Sequence, residues 1–141
     1  MIANQQRRVR ISLAPLEKYF GRVRRMLRLP GEAASVSFVG DAQMARWNRA
    51  YRGKRGATDV LSFPASANGD ARRGRNAYLG DIAISPAAAK RNARRFGRTL
   101  PEELRILILH GVLHLVGYDH ETDNGEMDRI ESRLRARLGL S

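Results

Sequence analysis

The chain has 141 residues, a length that suits a single domain over residues 1–141 with a sizeable core, and 43% of it is hydrophobic. It has no cysteine, which excludes disulfides, zinc ribbons, iron–sulfur ligation and thiol catalysis. The 26 Lys and Arg against 14 Asp and Glu leave a formal charge of +12, a field that attracts polyanions, nucleic acid foremost.

In chain order, Met1 to Arg8 lacks the apolar core of a secretory signal. Val9 to Leu13 alternates apolar and polar residues and predicts a strand. Pro15 suits the first turn of a helix whose apolar face is Leu16, Tyr19, Phe20, Val23 and Leu27, stopped by Pro30 and Gly31. Val36 to Val39 reads as a second strand. Asp41 is placed to cap a helix with an inner face of Met44, Trp47 and Tyr51. A basic loop, Arg52 to Gly56, leads to a third strand over Asp59 to Phe63 that Pro64 ends. Residues 65–76 have the composition of the least ordered segment, and Leu79 to Ile84 predicts a fourth strand antiparallel to the third. Ser85 and Pro86 open a helix to about Phe96 as N-cap and first residue. Thr99 and Glu102 fit a capping box for a helix to about Val116 that is apolar on nearly every side, which makes it a buried central helix. Gly117 is placed to end it in the left-handed conformation. A last amphipathic helix uses Met127, Ile130, Leu134 and Leu138. The order predicts an α/β (α+β) fold, a mixed four-stranded sheet packed with about five helices. The longest apolar run, Ile106 to Val116, falls short of the roughly 20 residues that span a bilayer, and the chain reads as soluble and cytoplasmic.

The positive charge is almost all arginine, since Lys18, Lys54 and Lys90 are the only lysines, and the guanidinium fork suits phosphate. A coding preference for arginine explains the choice of Arg over Lys as well, but not the excess of positive charge. Residues 7–28 carry eight cations against Glu17, and residues 72–98 carry eight against Asp81. After Gly117 acids gather: Asp119, Glu121, Asp123, Glu126, Asp128 and Glu131.

All three histidines fall in one window, His110 to His120, spaced H-x-x-x-H-x-x-G-x-x-H. Four residues apart on a helix, His110 and His114 lie on one face, one turn apart. A sharp turn at Gly117 brings His120 back as a third arm. Three imidazoles with a position left for water suit zinc, although nickel, copper and iron also accept imidazole. Zinc lowers the pKa of a bound water toward about 7. Because the ligands must be neutral, metal affinity should fall as pH drops through about 6.5. The spacing matches the metzincin peptidases, in which a glutamate beside the first histidine is the general base. Here that position is Gly111, which cannot take a proton. Either the metal is structural, or another group such as Asp119, Glu121 or Asp123 handles the proton, or the substrate needs less help.

The window His110-Gly-x-Leu-His114-Leu-x-Gly117-Tyr-Asp-His120 resembles the signature of the YbeY family of bacterial endoribonucleases. Tyr51 to Lys54 with Thr58 to Pro64, Leu79 to Ser85, and Gly125 to Met127 are similar to further family segments, so the resemblance covers roughly residues 35–138. It implies a single-strand-specific, metal-dependent endoribonuclease acting in 16S rRNA 3′-end processing and ribosome quality control on the small subunit. It implies one zinc ion at His110, His114 and His120, and it singles out Arg52; on the leading reading Arg52 and His114 are the catalytic residues, and changing either should abolish cleavage. A guanidinium near the metal would hold the scissile phosphate and stabilise charge on its oxygens. Lys54 and Arg55 would add backbone contacts. Two other readings fit the residues: a non-catalytic ribosome-assembly factor stapled by structural zinc, and a zinc hydrolase of another substrate.

Overall fold

A computed structural model of the protein describes residues 1–56, 58–65, 78–118 and 124–140. The elements are β1 (Ile2–Asn4), α1 (Leu13–Met26), β2 (Ala34–Phe38), α2 (Asp41–Arg52), β3 (Val60–Pro64), β4 (Gly80–Ile84), α3 (Pro86–Phe96), α4 (Leu100–Val116) and α5 (Glu126–Arg137). The four strands form one mixed sheet in the order β1-β2-β4-β3. β1, β2 and β4 run parallel, and β3 pairs antiparallel with β4, Leu61 opposite Ala83 and Ser62 opposite Ile82. The α/β architecture with a mixed four-stranded sheet and five helices among the described residues is the one expected.

Strand alternation divides the core. Val36, Phe38, Ile82 and Ile84 pack with Leu16, Phe20 and Val23 of α1 and with most of α4. From the opposite face Leu61 and Ala83 pack with Met44 of α2, flanked by Trp47 and Phe63. α4 is buried along most of its length, from Glu103 and Leu104 to Leu115. Its capping box forms as expected: the Thr99 hydroxyl accepts from the Glu102 N–H at 3.2 Å and the Glu102 carboxylate accepts from the Thr99 N–H at 3.0 Å. Ser85 caps α3 by accepting from the Ala88 N–H.

Three expectations are corrected. Val9 to Leu13 is not a strand, because the Gln6 side-chain amide takes both backbone groups of Val9, each at 2.9 Å, and leaves no ladder to join. The first strand is instead Ile2–Asn4, whose Ile2 N–H donates to Glu17 on α1. Asp41 is the first residue of α2 and Gly40 its N-cap; the Asp41 carboxylate accepts from Ser85 at 2.6 Å and from Arg91 at 3.0 Å. α1 ends at Met26, before Pro30, with Arg28 in the left-handed region. The segment 65–76 lies almost wholly outside the described residues.

Candidate active site

α4 is anchored by its apolar surface, so its polar residues emerge only where the burial stops. His110 and His114 do so on one face near its C-terminal end, and both are partly buried. Their Nε2 atoms converge to 3.0 Å, with ring centroids 4.6 Å apart. The other nitrogen of His110, Nδ1, lies 2.9 Å from Oε1 of Glu131 on α5. A carboxylate accepts, so Nδ1 holds the proton and Nε2 turns its lone pair toward His114. Arg135, one turn along α5, stands 3.6 Å from the second Glu131 oxygen.

Gly111, between the two histidines, is set by packing. A Cβ there would sit 2.8 Å from Cγ2 of Ile82 and within 3.2 Å of two more of its atoms. The place that holds a catalytic glutamate in the metzincin spacing thus faces the sheet. The Ser62 hydroxyl of β3 donates to the Gly111 carbonyl at 3.1 Å, a second tie between α4 and the sheet.

At Gly117 (φ 116°) the helix ends as expected. The Tyr118 N–H reaches back to the Leu113 carbonyl at 3.0 Å, the six-to-one bond of a Schellman turn. His120, with Asp119, Glu121 and Asp123, lies outside the described residues. Among the described residues no group of three His, Asp or Glu is arranged to hold a metal.

The two histidines line one wall of a cleft of about 620 Å³, within the usual range for ligand pockets. The other walls are Tyr51 and Arg52 at the end of α2, residues 58–62 and Pro64 of β3 and its approach, and Gly117 with Tyr118. Arg52 is exposed and forms no ion pair among the described residues. Its loop is pinned from below: buried Asn48 donates to the Gly56 carbonyl at 2.9 Å, and the Lys54 N–H donates to the Asn48 carbonyl. Lys54 and Arg55 are exposed on this loop but are not among the residues that line the cleft. The fold thus brings Arg52 together with His110 and His114 and leaves the other two basic residues at its margin.

Convergent Nε2 atoms suit a shared cation. Two zinc–nitrogen bonds of about 2.0–2.1 Å at a tetrahedral angle separate the nitrogens by roughly 3.4 Å, and a narrower angle gives less. The observed 3.0 Å is within a small rotation of that value. A histidine ligand whose far nitrogen is held by a carboxylate is also the usual arrangement around metals.

The site contains groups not singled out by motif. Glu131 stands four residues after Met127 and three before Leu134, inside the apolar stripe of α5, and a carboxylate in such a stripe signals a buried partner. Tyr51, expected on the inner face of α2, is instead 60% exposed. Asp59 also borders the cleft, and Asn92 of α3 donates to its carboxylate at 3.0 Å.

Comparison with known proteins identifies the family of the chain. The family model described as endoribonuclease YbeY matches residues 1–139. An endoribonuclease YbeY from Solibacter usitatus is 49% identical over 110 residues, covering 78% of this chain and 69% of the relative. One from Koribacter versatilis is 44% identical over 140 residues, covering 99% and 86%. A solution structure of a Thermotoga maritima protein superposes with a TM-score of 0.66 at 27% identity, covering 98% of this chain and 89% of that one. With the family model spanning nearly its whole length, the chain belongs to the YbeY endoribonuclease family.

Proposed function

We propose that this protein is a zinc-dependent endoribonuclease that hydrolyses phosphodiester bonds in single-stranded RNA. Its role on this reading is 16S rRNA 3′-end maturation and quality control on the small ribosomal subunit, in the cytoplasm. One observation carries it: in a chain of this family, two histidine nitrogens converge in a cleft that also holds the exposed guanidinium of Arg52.

Each residue has a task that follows from its chemistry. His110 and His114 hold the metal through Nε2, and His120 supplies the third ligand. Zinc bound there supplies Lewis acidity toward the phosphate and a water acidified toward neutral pH. Glu131 fixes the His110 tautomer and so keeps Nε2 available. Arg52 binds the non-bridging phosphate oxygens, where its planar fork opposes the charge that grows as the bond breaks. Lys54 and Arg55 carry the neighbouring phosphates. The excess of arginine across the chain draws in the polyanion. Asp119, Glu121 and Asp123, which flank His120, are the candidates to take the proton.

The test is metal analysis of the purified protein combined with cleavage of a 16S precursor fragment, before and after chelation. Cleavage should stop on chelation and return with zinc. Arg52→Glu and His114→Ala should abolish it while the far-ultraviolet circular dichroism stays that of the wild type. Unchanged cleavage by metal-free His114→Ala protein refutes the mechanism. Peptide hydrolysis lost on chelation, with RNA uncut, points instead to a hydrolase of another substrate.

A further inference from the structure

We propose that Tyr51 is a stacking platform for one nucleobase of the bound RNA strand, set at the mouth of the cleft beside the phosphate-binding Arg52. The inference rests on the RNA reading above and adds a base subsite to it. Four large hydrophobic residues are exposed among the described residues: Met1, Tyr51, Tyr78 and Phe96. Two of the other three have evident occupation. The Arg95 and Arg98 guanidiniums lie 5.5 and 5.3 Å from the Phe96 ring centroid, and the Tyr78 hydroxyl donates to Asp81. Tyr51 alone of the four lines the cleft.

The ring is held in place but not covered. It meets Phe63 of β3 edge to face, centroids 4.7 Å apart at 86°, and Phe63 in turn meets Trp47 at 5.8 Å and 81°. This chain of perpendicular contacts runs back to buried Met44 and Leu61, so the platform is anchored in the second core. A tyrosine has few rotatable bonds, and one already braced loses little freedom when a base settles on it. At 60% exposure it still presents ring surface to solvent, and β3, which carries its brace, is an edge strand with no neighbour beyond it in the sheet among the described residues.

The chemistry of the neighbours selects the ligand. Arg52, next in sequence and lining the same cleft, provides for a phosphate, and an aromatic ring beside a phosphate site suits the base attached to the same backbone. Bases inside a duplex are already stacked on each other, whereas an unpaired base has a face to give. The platform therefore favours single strands without reading a sequence, because every base has such a face.

The experiment is fluorescence anisotropy with a labelled, hydrolysis-resistant phosphorothioate RNA of about ten nucleotides at one fixed salt concentration, since the phosphate contribution depends on salt. Tyr51→Ala should weaken binding by between about five-fold and about 100-fold, and Tyr51→Phe by no more than about twofold. An abasic nucleotide moved along the strand should, at one position, weaken wild-type binding by a similar factor and leave Tyr51→Ala unaffected. Equal binding by wild type and Tyr51→Ala overturns the proposal. So does wild-type indifference to an abasic nucleotide at every position, a measurement that needs no variant to fold. If the wild type does not bind the single strand at all, the RNA reading itself falls and the platform with it. Binding by the wild type with an indifferent Tyr51→Ala removes the platform alone.

Discussion

Replacing Gly111 by alanine sets two known effects against each other. In a helix interior alanine is better than glycine by about 1 kcal/mol. Here the added Cβ would lie 2.8 Å from Cγ2 of Ile82 and 3.1 Å from its Cδ1, well inside the roughly 3.5–4.0 Å at which carbon pairs attract. Ile82 is 1% exposed and sits on β4, between β2 and β3, so it has little room to yield. Overpacking of this kind costs about 1–3 kcal/mol, and set against the helix gain the expected net loss runs up to about 2 kcal/mol. Urea unfolding measures it. Ile82→Ala removes the three contacting atoms and by itself costs about 2–5 kcal/mol through the cavity it leaves. In the double variant the clash disappears and the new methyl fills part of that cavity, so the two changes should offset each other by about 1–3 kcal/mol. A Gly111→Ala protein more stable than wild type, or a coupling below about 0.3 kcal/mol, would refute the close approach of α4 to the sheet. The same variant should weaken zinc uptake, because a helix pushed off β4 carries His110 and His114 with it.

Two further outcomes are expected. Glu131→Gln keeps an acceptor for the Nδ1–H of His110 but loses its charge, and should lower zinc affinity by about ten-fold; Glu131→Leu should approach about 100-fold. Competition with a coloured chelator reads both, and wild-type affinity in Glu131→Leu would remove the orienting role. Asp41 gives a pH signature. Partial burial pushes its carboxyl up, but the Ser85 hydroxyl and the Arg91 guanidinium outweigh burial and hold it below its ordinary 3.8. The unfolded chain therefore takes up this proton first as pH falls, so the contribution is present above about pH 4 and lost as pH drops through the lower folded value. Asp41→Asn should show a smaller change in urea midpoint between about pH 6 and about pH 3 than the wild type, and an equal change would count against it.

What the sequence discloses and what it hides divide along a physical line. The ends of α3 and α4 are legible because Ser85, Thr99, Glu102 and Gly117 act within a few residues of themselves. The His110–His114 pair is legible because helical spacing alone puts both on one face. β1 is not, since three residues have no periodicity and form a strand only because β2 offers a parallel partner. The false strand at Val9 to Leu13 has the right alternation, defeated by one side-chain amide. Asp41 looks like a cap, but its carboxylate is drawn to Ser85 and Arg91, on a distant stretch of chain. Tyr51 has core spacing on α2 yet stands exposed at the cleft, a fact of where the sheet ends rather than of the helix. The motif names the histidines proposed to hold the metal; long-range packing brings Glu131 to one of them and sets Arg52 in the same cleft.

That packing also explains why the site lies at this end of α4. The carbonyls of a helix's last turn leave a partial negative charge of roughly half a unit, which favours cations. His114 lies in the last turn of α4 and His110 one turn before it. On the proposed reading a dication held by them gains from the helix's field as well as from its ligands, and Glu131 adds a formal negative charge behind His110. Arg52 approaches from α2, a separate element on the far side of the sheet edge, so its position is set independently of the metal ligands. A cation at the helix end and a guanidinium from another element, both lining one cleft, would offer a phosphate group two positive charges from independent supports. This separation predicts that Arg52→Gln leaves zinc affinity within about twofold of wild type while cleavage falls by more than about ten-fold, consistent with the loss of a charge-assisted contact to phosphate. Loss of zinc in Arg52→Gln would show instead that Arg52 supports the metal site, and the division between binding metal and binding phosphate would have to be abandoned.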